Sequence, residues 1–177
     1  MKQRGSGLLL YHFEVTMKVF DVMNPNVITV TPDTTVRECI KLLRENNVSG
    51  VPVVTAGKLV GIVTENDVLS LLEIPEHTGY WLPSPLEIIE VPVREIIERL
   101  ELRDSVSDDV GEWQVDRVMT KSVHTISADA DIETATEHMM RHKINRLPVV
   151  DKDGKLIGIV TRGDIIKGIA DAANAHR

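Results

Sequence analysis

Two quartets of the form Thr-x-x-Asp, Thr64 to Asp67 and Thr161 to Asp164, carry the residue types and spacing best suited to chemistry. At the start of a helix, a threonine hydroxyl and a carboxylate three residues later cap the free backbone amides, which stabilises that end by about 1 kcal/mol. The same carboxylate can accept hydrogen bonds from both hydroxyls of a ribose, and exposed amides beside a hydroxyl favour a phosphate. The two uses are compatible. Charge separates the quartets: Arg162 follows Thr161 where Glu65 follows Thr64, and Asn145-Arg146 precede Leu147 where Ser49-Gly50 precede Val51. A guanidinium meets phosphate oxygens in a bidentate fork and a carboxylate repels them, so unequal sites are expected, the one with Asp164 being the stronger.

Other groupings offer less. His138 and His142 are four apart, share one helical face and could suit a metal, but no third ligand is near them in sequence. Asp151-Lys152-Asp153-Gly154 resembles the start of a calcium loop, lacks the remaining ligands and the terminal Glu, and is a hairpin turn. Cys39 is the one cysteine; it falls on an apolar helical stripe and belongs to a core rather than to a nucleophilic site. A single thiol excludes a disulfide framework and a thiolate zinc cluster, and it suits a reducing, cytoplasmic setting. With no G-x-x-x-x-G-K-[ST] loop, no G-x-S-x-G elbow and no H-E-x-x-H, an enzyme is disfavoured.

The chain has 177 residues, 20 Lys and Arg against 27 Asp and Glu, and a net charge of −7. Nucleic-acid binding would need a basic stripe assembled from Lys121, Arg141, His142, Lys143 and Arg146, and the acidic balance argues against it. The apolar run Leu8 to Tyr11 is shorter than a signal-peptide core of about 7–15 residues and far below the roughly 20 that span a bilayer. Secretion by that route and a membrane span are therefore not expected.

The elements that position the quartets come from an internal repeat. VMNPNVITVTPDTTVRECIKLLRENNVSGVPVV, from Val22, lies over VMTKSVHTISADADIETATEHMMRHKINRLPVV, from Val118, without a gap. GKLVGIVTENDVL, from Gly57, lies over GKLIGIVTRGDII, from Gly154, once Asp153 is taken as an extra turn residue. In each block a short β-branched run such as Val27 to Val30 suggests a strand. Thr35 and Glu38 then form a capping box before a stripe at Val36, Cys39, Ile40 and Leu43, the pattern of an amphipathic helix. Asn46-Asn47 end it, Val51 to Val54 and Leu59 to Val63 make a hairpin about Ala56-Gly57, and Thr64 opens a last helix. The order per block is β-α-β-β-α, an α/β (α+β) unit whose two copies must pack together as a pseudo-two-fold pair to bury a core. His138 and His142 correspond to Leu42 and Asn46 of the first block, outside the core stripe of Ile132, Ala135 and Met139.

The succession V-M, T-V-x-P-x-x-T, V-P-V-V and G-x-L-V-G-I-V-T-x-x-D resembles the cystathionine β-synthase (CBS) domain, over both blocks and about a hundred residues. The resemblance implies a disc-like Bateman module that binds adenosyl ligands in clefts between its repeats and often dimerises. It implies ribose binding by Asp67 and Asp164, with Thr64 and Thr161 near the phosphate. It implies an adenine cleft lined by the backbone at Val51-Pro52 and Leu147-Pro148, with the first-strand residues Thr29 and Thr125 against the base. Prolines at those steps are also explained by a strand start. Arg146 matches a basic phosphate neighbour of kinase-regulating CBS proteins, and Arg162 is a further phosphate candidate. Both clefts open toward the middle of the disc, so one arginine could serve either ligand. AMP, ADP, ATP, S-adenosylmethionine and NAD all carry the ribose diol; the arginines favour the phosphorylated ones.

The expected organisation is an N-terminal extension 1–16 with an alternative start at Met17, repeats at 17–72 and 115–172, an intervening segment 73–114 and a tail 173–177. The intervening segment holds Tyr80-Trp81 between prolines and a helical stripe at Val93, Ile96, Ile97 and Leu100, an ordered linker or a dimer contact. The expected function is a cytoplasmic regulatory module, a homodimer acting on an unidentified protein, that senses an adenine nucleotide or a related adenosyl compound. The alternative is a ligand-free interaction or dimerisation scaffold in which Thr-x-x-Asp is only a cap.

Overall fold

The computed structural model describes residues 17–71 and 108–175. The extension 1–16 and the Tyr80-Trp81 and Val93 to Leu100 stretch lie outside the described residues. Each repeat contributes a helix, a hairpin and a second helix. In the first these are α2 (Val36–Glu45), β1 (Gly50–Thr55), β2 (Lys58–Thr64) and α3 (Glu65–Leu69), preceded by the single turn α1 (Val19–Val22). A turn, α4 (Asp108–Gly111), and a 3-10 turn (Val115–Arg117) lead into the second repeat, with α5 (Ile132–His142), β3 (Arg146–Val150), β4 (Leu156–Thr161) and α6 (Arg162–Ala175).

The local signals act as their chemistry dictates. Glu38 N donates to Thr35 Oγ1 at 3.2 Å and Thr35 N to the Glu38 carboxylate at 3.0 Å, which holds the Glu38 pKa below its usual value. Val36, Cys39 and Leu43 are buried beneath this helix, and burial pushes the Cys39 thiol up to about 11, the value of a packing residue rather than a nucleophile. The first hairpin turns through Ala56 and Gly57, both at positive φ (49° and 79°), the backbone sign required of a type I′ turn. The second turns on Asp151, whose Oδ1 accepts from Asp153 N and Lys155 N at 2.9 Å each, with Gly154 at φ 77°.

The expected first strand of each block is reduced to one residue. Val30 bridges Val53 in parallel and Ile126 bridges Val149, leaving two-stranded sheets instead of three-stranded ones. The bonds present are Val30 N to Pro52 O and Val54 N to Val30 O in one repeat, and Ile126 N to Pro148 O and Val150 N to Ile126 O in the other. The next rung of each parallel ladder would need an amide on Pro52 or Pro148, and proline has none, so pairing stops there.

Packing exchanges the leading segments of the two repeats. Val19 of α1 is buried among Ile132, Ala135, Met139, Leu147, Val149, Val160 and Ile165 of the second repeat, whereas Val115 is buried among Cys39, Leu43, Val51, Val53 and Val63 of the first. Asn24 and Ile159 exchange backbone hydrogen bonds at 2.8 and 3.0 Å, and Thr120 and Ile62 do so at 2.9 and 3.0 Å. The methionine of each V-M step lies over a glycine of the other repeat: a Cβ on Gly158 would sit 2.6 Å from Met23 Sδ, and one on Gly61 would overlap Met119. Leu59 N to Gly154 O and Leu156 N to Gly57 O tie the hairpins together. The repeats are related by a pseudo-two-fold axis, and neither core is complete without residues from the other repeat.

Candidate functional site

The two Thr-x-x-Asp quartets form the same structure. Thr64 Oγ1 and N donate to Asp67 Oδ2 at 2.6 and 2.8 Å, and Asp67 N returns a bond to Thr64 Oγ1 at 3.4 Å. In the second repeat the corresponding distances for Thr161 and Asp164 are 2.6, 2.8 and 3.2 Å. Capping therefore occupies one carboxylate oxygen. The other oxygen of Asp67 is approached by Thr120 Oγ1 at 3.4 Å, a long contact that a better donor can replace.

Thr64 and Asp67 open onto a cleft of about 680 Å³ whose other wall is the second repeat. Its apolar lining is Ile62, Val123, Ile144 and Pro148, and its polar lining includes Thr120, Glu65, Asn66, Lys143, Asn145 and Arg146. The volume lies within the roughly 300–1,000 Å³ of small-molecule sites. Arg146 Nη1 donates to Gly50 O at 2.8 Å and Nη2 donates to Ser49 Oγ, so the guanidinium lies on the first repeat. Burial lowers its pKa, against the opposing attraction of Glu65. The position equivalent to Arg146 in the first repeat is Gly50, and a Cβ there would sit 2.8 Å from Arg146 Nη1. The small residue of one repeat makes room for the large one of the other.

The structure divides the expected site residues between this cleft and other places. Arg146 lines the same cleft as Thr64 and Asp67, across from them, and Asp164 does not line it, so the arginine expected to favour the Asp164 site faces the Asp67 site instead. Thr161, Arg162 and Asp164 do not line this cleft, and the pseudo-two-fold relation puts them at the corresponding place on the other repeat. Thr125 faces away, into a separate depression with Ser127, Asp129 and Lys152, while its neighbours Val123 and His124 line the cleft. Thr29 is the equivalent residue of the first repeat. The side chains of Val51 and Leu147 are buried in the two cores, which leaves only backbone at these steps for a cleft, as expected of them; Pro148 lines the cleft and Pro52 is its buried counterpart.

Thr120 and His124, which no motif of the sequence singles out, also line the cleft, as does Lys143, expected only as part of a basic stripe. Thr120 follows the V-M step and His124 stands two residues before the buried bridge residue Ile126, and no local spacing marks either as a cleft residue. The His124 and His142 rings stack with centroids 3.7 Å apart at 24°, and His138 meets His142 edge-on at 6.0 Å. Desolvation, then the nearby His124, His138 and Arg141, lower the His142 pKa. Among the described residues no group of three His, Cys, Asp or Glu is placed to hold a metal ion. The basic stripe does not assemble freely: Lys121 is paired with Asp116 at 3.0 Å, Arg141 lies 4.0 Å from Glu137, and Arg146 is in the cleft. No helix among the described residues is long and apolar enough to cross a membrane.

The CBS domain family matches residues 19–74 and 115–171, the two blocks of the repeat. The chain belongs to the CBS-domain family. It is 37% identical over 155 residues to the MJ1426 protein of Methanocaldococcus jannaschii, covering 86% of this chain and 91% of that one. It is 31% identical over 153 residues to the chloroplastic CBS-domain protein CBSX1 of Arabidopsis thaliana, covering 86% of this chain and 63% of that longer one. Among solved structures, CBSX2 in complex with AMP superposes with a TM-score of 0.64 at 29% identity, over 88% of this chain and 98% of that one.

Proposed function

We propose that this CBS pair is a regulatory module that binds an adenine nucleotide in the cleft of Thr64, Asp67 and Arg146, and a second in the related position of Thr161, Arg162 and Asp164. The observation that carries the reading is that a ribose-suited carboxylate from one repeat and a guanidinium from the other line a single cleft of about 680 Å³. The Asp67 oxygen that is met only by the long Thr120 contact suits a ribose hydroxyl, and Arg146 suits a phosphate. Pro148 cannot donate to the His124 carbonyl, which leaves an acceptor for the amino group of adenine. CBSX2, a similar protein, binds AMP. AMP, ADP and ATP are the preferred ligands because S-adenosylmethionine lacks the phosphates that Arg146 would meet; NAD retains them.

A ligand held by both walls favours whichever arrangement of the repeats closes on it, and that differential is what a regulated partner can read. Phe20 on α1 and Ile166 and Ile169 on α6 are 65%, 68% and 48% exposed, and these two helices pack together, which supports a homodimer through that face. The same face would serve the alternative, a scaffold with empty clefts. The module acts without catalysis, in the cytoplasm, and its regulated protein is unidentified.

Calorimetry and thermal melting with AMP, ADP, ATP, S-adenosylmethionine and NAD test the reading, in wild type, Asp67→Ala and Asp164→Ala. A ligand at a hundred times its dissociation constant stabilises by about 2.7 kcal/mol. Under the sensor reading at least one ligand does so, and each substitution removes one binding event. No binding at millimolar concentration leaves the scaffold.

A further inference from the structure

The His124–His142 stack is not explained by the fold or by the ribose and phosphate contacts. Resting on the nucleotide reading of the first cleft, we propose that this stack is the platform on which the base of the bound nucleotide packs. Among the described lining residues His124 is the one aromatic ring, and it stands in the chain beside the apolar lining residue Val123. The His142 ring stacks on the His124 ring with centroids 3.7 Å apart, and of the two it is His124 that lines the cleft. His142 is itself braced from α5 by the edge of His138, so the platform is held from behind through two layers. Such a surface accepts any flat base by stacking and offers nothing to a ligand without one.

The platform is a property of this cleft and not of both. The first-repeat residues equivalent to His124, His142 and His138 are Ile28, Asn46 and Leu42. The related position on the other side of the axis therefore has an aliphatic wall where this one has an aromatic wall. The difference supplies substitutions that the same fold already carries: His124→Ile and His142→Asn put first-repeat residues at equivalent places.

The test follows the backbone amide signals of Asp67 and Thr120, which belong to the first cleft, by nuclear magnetic resonance during titration with AMP, adenosine and ribose 5-phosphate. In the wild type, AMP and adenosine shift the His124 and His142 ring signals upfield. In His124→Ile the affinity for AMP and for adenosine falls by roughly five- to a hundredfold, the size of base stacking on an aromatic side chain. Ribose 5-phosphate, which has no base, binds both proteins alike, and His124→Phe, which keeps a ring, retains most of the wild-type affinity. The inference is overturned if AMP binds His124→Ile within twofold of wild type, or if ribose 5-phosphate weakens by the same factor as AMP. If wild type binds neither AMP nor adenosine, the nucleotide reading itself fails and the platform falls with it.

Discussion

Replacing Arg146 by Gln separates what the guanidinium does for the fold from what it does for a ligand. In the structure it donates to Gly50 O at 2.8 Å and to Ser49 Oγ, both on the opposite repeat. Of its five N–H groups these bonds use two, so three remain for a phosphate without breaking the bridge between repeats. Loss of the bridge removes hydrogen bonds to a charged donor worth about 1.5–3 kcal/mol each at most. It also removes the cost of burying the cation, and the two terms offset one another. The net effect on stability is therefore small, on the order of 1 kcal/mol by the same reasoning. The effect on a phosphate has no such offset. A charge-assisted bond of about 1.5–3 kcal/mol lost from the complex weakens AMP binding in this cleft by roughly ten- to a hundredfold. Adenosine, which lacks the phosphate, binds as before. Calorimetric titration of wild type and Arg146→Gln with both ligands measures the ratio directly. Equal weakening of AMP and adenosine, or no weakening of either, refutes the placement of the phosphate beside Arg146.

The remaining predictions concern packing and protons. Gly50→Ala puts a Cβ 2.8 Å from Arg146 Nη1 and 2.9 Å from Thr64 Cγ2; overpacking of this kind costs about 1–3 kcal/mol in urea denaturation, part of which Arg146→Ala in the same chain restores. Val19→Ala, at a fully buried site contributed by the first repeat's leading turn, costs roughly 2 kcal/mol and speeds amide exchange in α5 and β3 of the second repeat rather than in α2 and β1. The His142 pKa is lowered in the folded state from the usual 6.5, so the unfolded chain binds the proton more readily and stability is complete above about pH 6.5 and declines as the pH falls below it. Melting temperatures between pH 7 and pH 5 show that decline in wild type, and a decline undiminished in His142→Asn argues against this residue as its source.

Much of this organisation is legible in the sequence because the repeat reports each element twice. Thr35 with Glu38, the stripe through Val36, Cys39 and Leu43, the Ala56-Gly57 and Asp151 to Gly154 turns, and the two Thr-x-x-Asp caps are all local, and local spacing determines them. What is not legible depends on contacts between distant residues. Nothing near Arg146 in the chain says that its guanidinium lies against Ser49 and Gly50, and nothing near Val19 says that it completes the core of the second repeat. The strand at Val27 to Val30 is an overreach of a different kind. β-Branched residues there favour extended backbone, but a ladder needs donors from its neighbour, and the neighbour begins with Val51-Pro52.

That proline links the fold to the site. Pro148 stops the parallel pairing on the N-terminal side of Ile126 and lines the cleft, so the place where the sheet stops is the place where the cleft begins. Had residue 148 carried an amide, it could have bonded to His124 O and zipped the segment before Ile126 onto β3. The cleft instead keeps an edge with hydrogen-bonding capacity, and Thr120 remains paired with Ile62 of the other repeat at 2.9 and 3.0 Å. The wall bearing His124 is thereby fastened at one end to its own repeat through Ile126 and at the other to the first repeat through Thr120. A molecule that draws His124 and Asp67 together loads both fastenings at once, and so acts on the relation between the repeats rather than within one of them. Ligand affinity and the geometry of the repeat pair are then two readings of one coupling, and a change in either must appear in the other.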